Sequence, residues 1–170
     1  MCAQIDYNAV AAGAAVVASV AAIVGLILES RRSRFSVGLD AMMKQDEIWS
    51  SDRMTQARKA AALALRDNKP SDEIDDVLDF FEFLGYLVRR RGVDEFLVWH
   101  SYFYWLHRYK TLAAGYIATY QQRDPTVWVD MLALHKKMVE IEKHERGGSD
   151  AGLLLSPEDT QKFFKEEIGE

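Results

Sequence analysis

Near its N-terminus the chain carries a long uncharged segment, and this segment constrains the fold more than any other feature. Ala9–Leu28 are twenty consecutive residues without a charge and with a single hydroxyl, that of Ser19. A helix of this length rises about 30 Å, which matches the hydrocarbon core of a bilayer. Three arginines follow directly, at Arg31, Arg32 and Arg34. We therefore predict one N-terminal transmembrane helix over residues 9–28.

Two other interpretations of this segment are weaker. A buried helix of a soluble protein is usually polar on one face, and this segment has no polar face. A cleaved signal peptide needs positive charge before its apolar run, whereas residues 1–8 contain Asp6 and no lysine or arginine. By the positive-inside rule, the three arginines predict a bacterial inner-membrane protein with residues 1–8 outside and residues 29–170 in the cytoplasm.

Small residues recur along the predicted transmembrane helix. Ala14, Ala18 and Ala22 repeat every four residues, and Gly25 extends the pattern from Ala21. Such ridges let helices approach closely in lipid, which predicts a helix–helix interface at Ala14, Ala18, Ala22 and Gly25. The alternative is that alanine only fills the segment.

The remainder of the chain, residues 29–170, is long enough for one domain with a core. The chain has three prolines, and strand-like alternation is absent, so an all-α fold is expected. Cys2 is the single cysteine, which excludes an internal disulfide and fits a reducing compartment. The net charge of −5 argues against nucleic acid as a partner. We expect a cytoplasmic bundle of about five helices over residues 29–146.

Helical spacing and capping residues predict where these helices lie. The first is expected over about residues 35–48, and the second from Ser51. The third has Ser71 as N-cap, three arginines in its last turn, and Gly92 as the C′ residue. The fourth is expected over about residues 94–122 and is apolar nearly all round, which predicts the central helix of the bundle. The fifth is expected to begin with Asp124 as N-cap and Pro125 at N1.

Residues 147–170 read as an acidic tail with a possible short helix. This segment holds six acidic residues and two lysines. Ser156-Pro157-Glu158-Asp159 has the form of a capped helix start. Phe163, Phe164 and Ile168 are suited to dock such a helix on the bundle, and a mobile tail is the alternative.

One acidic motif has a spacing known from magnesium sites. Asp75, Asp76 and Asp79 spell D-D-x-x-D, and clustered carboxylates suit hard cations such as Mg²⁺. The simpler interpretation is a solvated acidic face near a helix N-terminus, where negative charge is favoured. We predict no catalytic, cofactor-binding or metal-binding residues, and no cofactor, with these three aspartates as the weak metal candidates.

The histidines and the basic residues also have simple structural interpretations. His100 and His107 are seven residues apart and share a helix face, while His135 and His144 are isolated in sequence. We expect core or rim histidines rather than metal ligands. The aromatic and basic residues around Tyr104 and Arg108 are expected in the core and at its edge. Arg89–Arg91 either neutralise a helix end or touch anionic lipid headgroups.

Several short motifs in a fixed order resemble one bacterial family. They are Arg32-Ser33-Arg34-Phe35, Gly38-Leu39-Asp40, Met54 with Ala57-Arg58 and Ala60-Ala61, Asp76-Val77-Leu78-Asp79-Phe80-Phe81-Glu82, Val98-Trp99, Tyr104-Trp105 with Arg108-Tyr109, and Arg123-Asp124-Pro125-Thr126-Val127-Trp128. The chain is similar over residues 29–142 to an uncharacterised family of single-pass membrane proteins, the domain of unknown function four-seven-six-zero. The resemblance implies one N-terminal membrane helix and a small helical domain, and it implies no active-site residues.

Taken together, the sequence predicts a membrane-anchored helical interaction module, an accessory, assembly or regulatory subunit of a membrane-associated complex, and not an enzyme. The expected partners are membrane lipids and other protein subunits, or a second copy through the transmembrane helix. One alternative is a membrane-active stress or phage-defence effector that oligomerises through that helix. A second alternative is a metal-dependent membrane-anchored enzyme that uses the Asp-rich helix.

Overall fold

The computed structural model of the protein describes residues 25, 26, 29, 36–150 and 153–169. The chain divides into two compact units, Met1–Val37 and Gly38–Glu170. The described residues of the first unit are helical. The rest of the predicted transmembrane helix, including Ala14, Ala18 and Ala22, lies outside the described residues, as do the three flanking arginines. Within the described part of the chain, none of the helices has the length and apolar character needed to cross a bilayer.

The second unit is all-α in its described residues, as predicted. The helices are α1 (residues 36–49, of which 36 and 37 belong to the first unit), α2 (Asp52–Arg66), α3 (Asp72–Arg89), α4 (Glu95–Leu112), α5 (Ala114–Gln121), α6 (Val129–Glu145) and α7 (Pro157–Ile168).

Helix α3, rather than the predicted α4, lies at the centre of the bundle. It packs most extensively against α6 and α2 and also touches α4. Its buried residues are Ile74, Val77, Leu78, Phe80, Phe81, Leu84, Gly85 and Val88. The aromatic residues of α4 misled the prediction, because Trp99, Tyr104 and Trp105 are only half-buried and turn their polar atoms to carboxylates.

Local capping explains where several helices begin. The side chains of Ser51 and Asp94 accept hydrogen bonds from backbone N–H groups in the first turns of α2 and α4. Ser156 and Asp159 form a complete capping box at the start of α7. Ser71 is the N-cap of α3, as predicted, but its hydroxyl donates to the Glu73 carboxylate instead of accepting from the backbone.

Two predicted helix boundaries are wrong. The helix expected over residues 94–122 is interrupted at Ala113, where one helix ends and α5 starts. The helix expected from Pro125 starts at Val129, because the Asp124 carboxylate accepts from the N–H and the hydroxyl of Thr126 and closes a local turn. Trp128 then adopts a left-handed conformation, with φ 55°, immediately before α6.

Helix α7 is docked on the bundle, which decides between the two alternatives for the acidic tail. It packs against α2, with Phe163 and Ile168 buried and Phe164 partly buried. The ring of Phe163 meets that of Tyr109 edge to face, with the centroids 5.1 Å apart. The predicted short helix is therefore part of the same compact unit as the bundle.

Candidate functional site

Three acidic side chains of α3 form a stripe that accepts hydrogen bonds from other parts of the bundle. Asp75, Asp79 and Glu82 follow one another at spacings of four and three residues, which places them on one side of the helix. The Asp75 carboxylate accepts a hydrogen bond of 2.7 Å from the Tyr116 hydroxyl. The Asp79 carboxylate accepts one of 2.8 Å from the indole Nε1 of Trp128.

Glu82 provides the cap that α6 lacks in its own sequence. The N-cap residue of α6 is Trp128, whose side chain makes no capping bond. The two carboxylate oxygens of Glu82 accept instead from the backbone N–H groups of Asp130 and Met131, at 3.2 and 2.7 Å. A carboxylate satisfies the free N–H groups and favours the positive end of the helix dipole. The first turn of α6 is thus capped by a side chain from α3.

The D-D-x-x-D motif is divided between the interior and the surface. Asp75 is half-buried, and burial raises the pKa of its carboxyl, although the Tyr116 hydroxyl opposes this. Asp76 is exposed and lines a groove described below. Asp76 and Asp79 are exposed, as the interpretation of a solvated acidic face expects, but Asp75 and Asp79 also accept hydrogen bonds from Tyr116 and Trp128. Among the described residues, no three His, Cys, Asp or Glu side chains gather closely enough to hold a metal ion.

Two histidines that the sequence left unconnected form a pair, of which His107 is buried and His135 half-buried. The rings of His107 on α4 and His135 on α6 are stacked, with Nδ1 of His107 2.9 Å from Nε2 of His135. Nε2 of His107 lies 2.9 Å from the carbonyl oxygen of Leu153, just before α7. Burial lowers the pKa of both, that of His135 to about 4. His100, the predicted companion of His107, is exposed.

A second buried polar cluster joins α7 to α2 and α4. One carboxylate oxygen of Glu167 accepts from the Tyr109 hydroxyl at 2.7 Å, and the other accepts from the Trp105 indole at 3.2 Å. Arg58 of α2 lies 3.3 Å from the same carboxylate. Burial and the nearby Glu167 charge raise the pKa of Tyr109. Part of the aromatic and basic surface of α4 is therefore covered by α7.

An apolar groove of about 290 Å³ lies between α1, α2 and α3. Its apolar lining residues include Ile48, Met54, Ala57, Phe80 and Phe83, and its polar ones include Arg53 and Asp76. Ile48 is 39% exposed and Phe83 48% exposed. This volume is at the lower end of the range for small-molecule sites, so the groove suits one or two inserted side chains better than a cofactor.

The end of α3 forms a basic turn with an unusual backbone. Gly92 donates its N–H to the Leu87 carbonyl and Arg91 donates to the Val88 carbonyl, both at 2.9 Å. These bonds define a Schellman motif, in which the left-handed residue is Arg91, with φ 56°. The sequence had predicted Gly92 for that position. The turn lies against α1, because a Cβ added to Gly38 would be 3.0 Å from the Gly92 carbonyl oxygen.

The predicted membrane-flanking residues Arg31, Arg32 and Arg34 lie outside the described residues. Of the predicted helix–helix interface, only Gly25 is described, and it is exposed.

Comparison with known proteins identifies a family but no characterised relative. No curated protein and no solved structure matches the chain. One family model matches residues 9–138, more than half of the chain, and is described as a domain of unknown function, DUF4760. Two motifs of the resemblance now prove to be in contact, since Asp79 and Glu82 bind the segment that starts at Trp128. The match ends before α7. The chain belongs to the DUF4760 family.

Proposed function

We propose that the protein is a membrane-anchored helical interaction module, an accessory, assembly or regulatory subunit that binds another protein at the bacterial inner membrane. The observation that carries this proposal is the groove between α1, α2 and α3, where Ile48 and Phe83 remain exposed beside a buried core. Apolar side chains around a concave surface are typical of sites that take the side chains of a partner helix.

The use of the polar side chains supports a binding role. The carboxylates that the sequence offered for chemistry, those of Asp75 and Asp79, accept hydrogen bonds that hold α3 to its neighbours. The histidine pair likewise joins α4, α6 and the segment before α7. These groups stabilise the bundle, and the groove is left to contact a partner.

In this proposal the membrane anchor is the apolar segment Ala9–Leu28, with which the family match begins. The arginines that follow it favour a cytoplasmic bundle. This arrangement would hold the groove close to the membrane and to the cytoplasmic parts of other membrane proteins.

Membrane extraction and a topology reporter test the anchor. The full chain is expected to resist alkaline carbonate extraction, and a reporter fused after Glu170 is expected in the cytoplasm. Replacing Arg31, Arg32 and Arg34 together by glutamate removes the charge bias, so part of the reporter should appear outside. A chain that carbonate releases, or a reporter that stays fully cytoplasmic in the triple variant, would contradict the predicted anchor or its orientation.

Purification from membranes in mild detergent tests the binding role. We expect a hetero-complex of defined mass, which Ile48→Lys disrupts by placing a charge on the groove wall. Leu154→Lys is the matched control, because Leu154 is a highly exposed residue outside the groove. A partner retained by Ile48→Lys would remove the groove from the proposal. A clean homo-oligomer would favour the effector interpretation, with self-association through Ala14, Ala18, Ala22 and Gly25.

A further inference from the structure

We infer that the turn after α3 binds the anionic headgroups of the membrane surface on which the bundle sits. The surface consists of Tyr86, Arg90 and Arg91, and we call it the arginine turn. The inference rests on the proposed membrane anchor and adds a second point of attachment to it.

The position of the turn is the first argument. Gly38 lies against the Gly92 carbonyl, so the arginine turn lies beside this residue of α1. Gly38 follows Leu28, the last residue of the apolar segment, by ten residues. Ten residues span about 15 Å as a helix and at most about 35 Å when extended. If the apolar segment spans the bilayer, this tether keeps the turn within reach of the headgroups.

The chemistry of the turn suits a lipid surface. Tyr86 is 39% exposed, and the Arg90 guanidinium lies 5.5 Å from its ring centroid. Arg90 and Arg91 are exposed. Tyrosine is enriched at the membrane interface, and arginines near the cytoplasmic surface are attracted to its anionic lipids.

The charged groups next to Arg90 and Arg91 have other partners, so these two arginines can bind a ligand. Arg89 is excluded from the surface, because it pairs with Asp130 of α6 at 2.7 Å. The Asp94 carboxylate, two residues after the turn, accepts from two backbone N–H groups at the start of α4. The opposite end of α3, about 27 Å away for eighteen residues, carries Asp72, Glu73 and Asp75 in its first turn. The basic end of α3 is therefore the one beside Gly38, and the acidic end is a helix length away from it.

The backbone gives an independent argument. Three helices, α2, α3 and α6, end with a left-handed residue in the same position of the same motif. In α2 this residue is Asn68 and in α6 it is Gly147, the two residue types that adopt the conformation most readily. In α3 it is Arg91, and a side chain without that preference costs about 1 kcal/mol or more there. The helix dipole favours a positive charge at this end, but it does not require that charge on the left-handed residue, and an anionic ligand would account for it there.

The test uses the full chain in a Cys2→Ser background, reconstituted into vesicles of phosphatidylcholine with or without phosphatidylglycerol. An environment-sensitive fluorophore is attached at Phe96→Cys, an exposed position in the first turn of α4. A second sample carries it at Lys69→Cys, near the acidic end of α3. We expect phosphatidylglycerol to shift the probe at position 96 toward an apolar environment and to leave the probe at position 69 unchanged.

Arg91→Gly and Arg90→Gln remove the two charges, and Arg91→Gly also relieves the backbone strain, so the fold is retained. The ratio of membrane-bound to free turn should fall about fivefold for each arginine removed, because each contributes about 1 kcal/mol near an anionic surface. Arg123→Gln with Lys136→Gln is the control, since it removes the same charge from exposed positions elsewhere. A response lost equally in the control would be unspecific and would overturn the inference.

Flotation of the same vesicles separates this inference from the anchor. If the chain floats with neutral vesicles and the probe at position 96 does not respond to phosphatidylglycerol, the anchor stands and the inference fails. If the chain floats only with phosphatidylglycerol, the anchor fails. In that case the inference stands if the double variant abolishes flotation, and it fails if flotation persists.

Discussion

At the scale of the residue, Gly85 is the glycine with the least space for a side chain. A Cβ at this position would overlap the backbone carbonyl of Asp130, so the backbones of α3 and α6 touch. The glycine also lies three residues after Glu82, whose carboxylate caps α6. One turn of α3 therefore lets α6 approach closely, through Gly85, and caps the first turn of α6, through Glu82.

Gly85→Ala is expected to lower the free energy of unfolding by about 1–3 kcal/mol, because the added methyl group must push the two helices apart. Urea unfolding of the full chain in detergent, followed by tryptophan fluorescence, measures the change. Gly115→Ala is the matched control: a Cβ there has open space, and alanine favours the helix by up to about 1 kcal/mol. Equal stability of the two variants would show that the close approach is not rigid.

The histidine pair predicts a dependence of stability on pH. The groups that affect it are Arg108 and Lys110 on α4, which disfavour protonation, and Glu142 on α6, which favours it. Burial lowers the pKa of folded His135 from 6.5 to about 4. The unfolded chain therefore binds more protons between these values, and stability is full above pH 6.5 and falls as the pH drops toward 4.

His135→Gln should make this acid loss shallower, because glutamine keeps an N–H donor for Nδ1 of His107 and does not titrate. The free energy of unfolding measured from pH 7 to pH 4.5 gives the slope directly. His144→Gln, at a fully exposed histidine, should leave the slope unchanged. An identical slope in the wild type and in His135→Gln would show that other groups govern the acid sensitivity.

At the scale of the element, the sequence predicted helices well where the signals were local. Ser71, the acidic first turn and the apolar spacing placed α3 within a residue or two of its observed bounds. The start of α6 was missed because its cap comes from Glu82, forty-seven residues before Val129 in the chain. The contact between His107 and His135 was missed for the same reason, since sequence spacing does not show which helices are neighbours.

Glu167 makes the buried polar contacts of helix α7, and this gives a prediction for the whole element. Glu167 is 4% exposed and pairs with Arg58, which is 18% exposed. Glu167→Gln removes the charge from this pair and weakens the bonds from Tyr109 and Trp105, at a cost of up to about 3 kcal/mol. We expect α7 to detach, which hydrogen exchange of its backbone amides would show as lost protection.

The control is Glu158→Gln, in the exposed first turn of α7, which should cost a few tenths of a kcal/mol through the helix dipole. Protection in α7 that survives Glu167→Gln would mean that Phe163 and Ile168 hold the helix without the polar cluster.

At the scale of the whole molecule, the absence of strand-like alternation predicted the all-α class, and the short motifs in their fixed order predicted the family. They did not predict the groove or the arginine turn, because both depend on which helices the folded chain brings together.

The ridge of small residues before the bundle predicts a further property, self-association in the membrane. In a Cys2→Ser background, Ala18→Cys should form a disulfide-linked dimer on mild oxidation, because the four-residue spacing predicts one shared helix face for Ala14, Ala18 and Ala22.

The control for this cross-link is Val17→Cys, which points about 100° away around the same helix. Equal cross-linking at both positions would indicate collision in the membrane rather than a defined interface, and only monomer at position 18 would contradict the ridge.

The touching backbones at Gly85 also have a mechanical consequence. Packed helices slide past one another by small rotations of the side chains between them. At Gly85 no side chain separates α3 from the first turn of α6, and Glu82 fixes that turn. We therefore expect α3 and α6 to move together as one rigid pair. A partner that displaces Phe83 in the groove is expected to move α6 together with α3, and with α6 the His135 ring of the histidine pair.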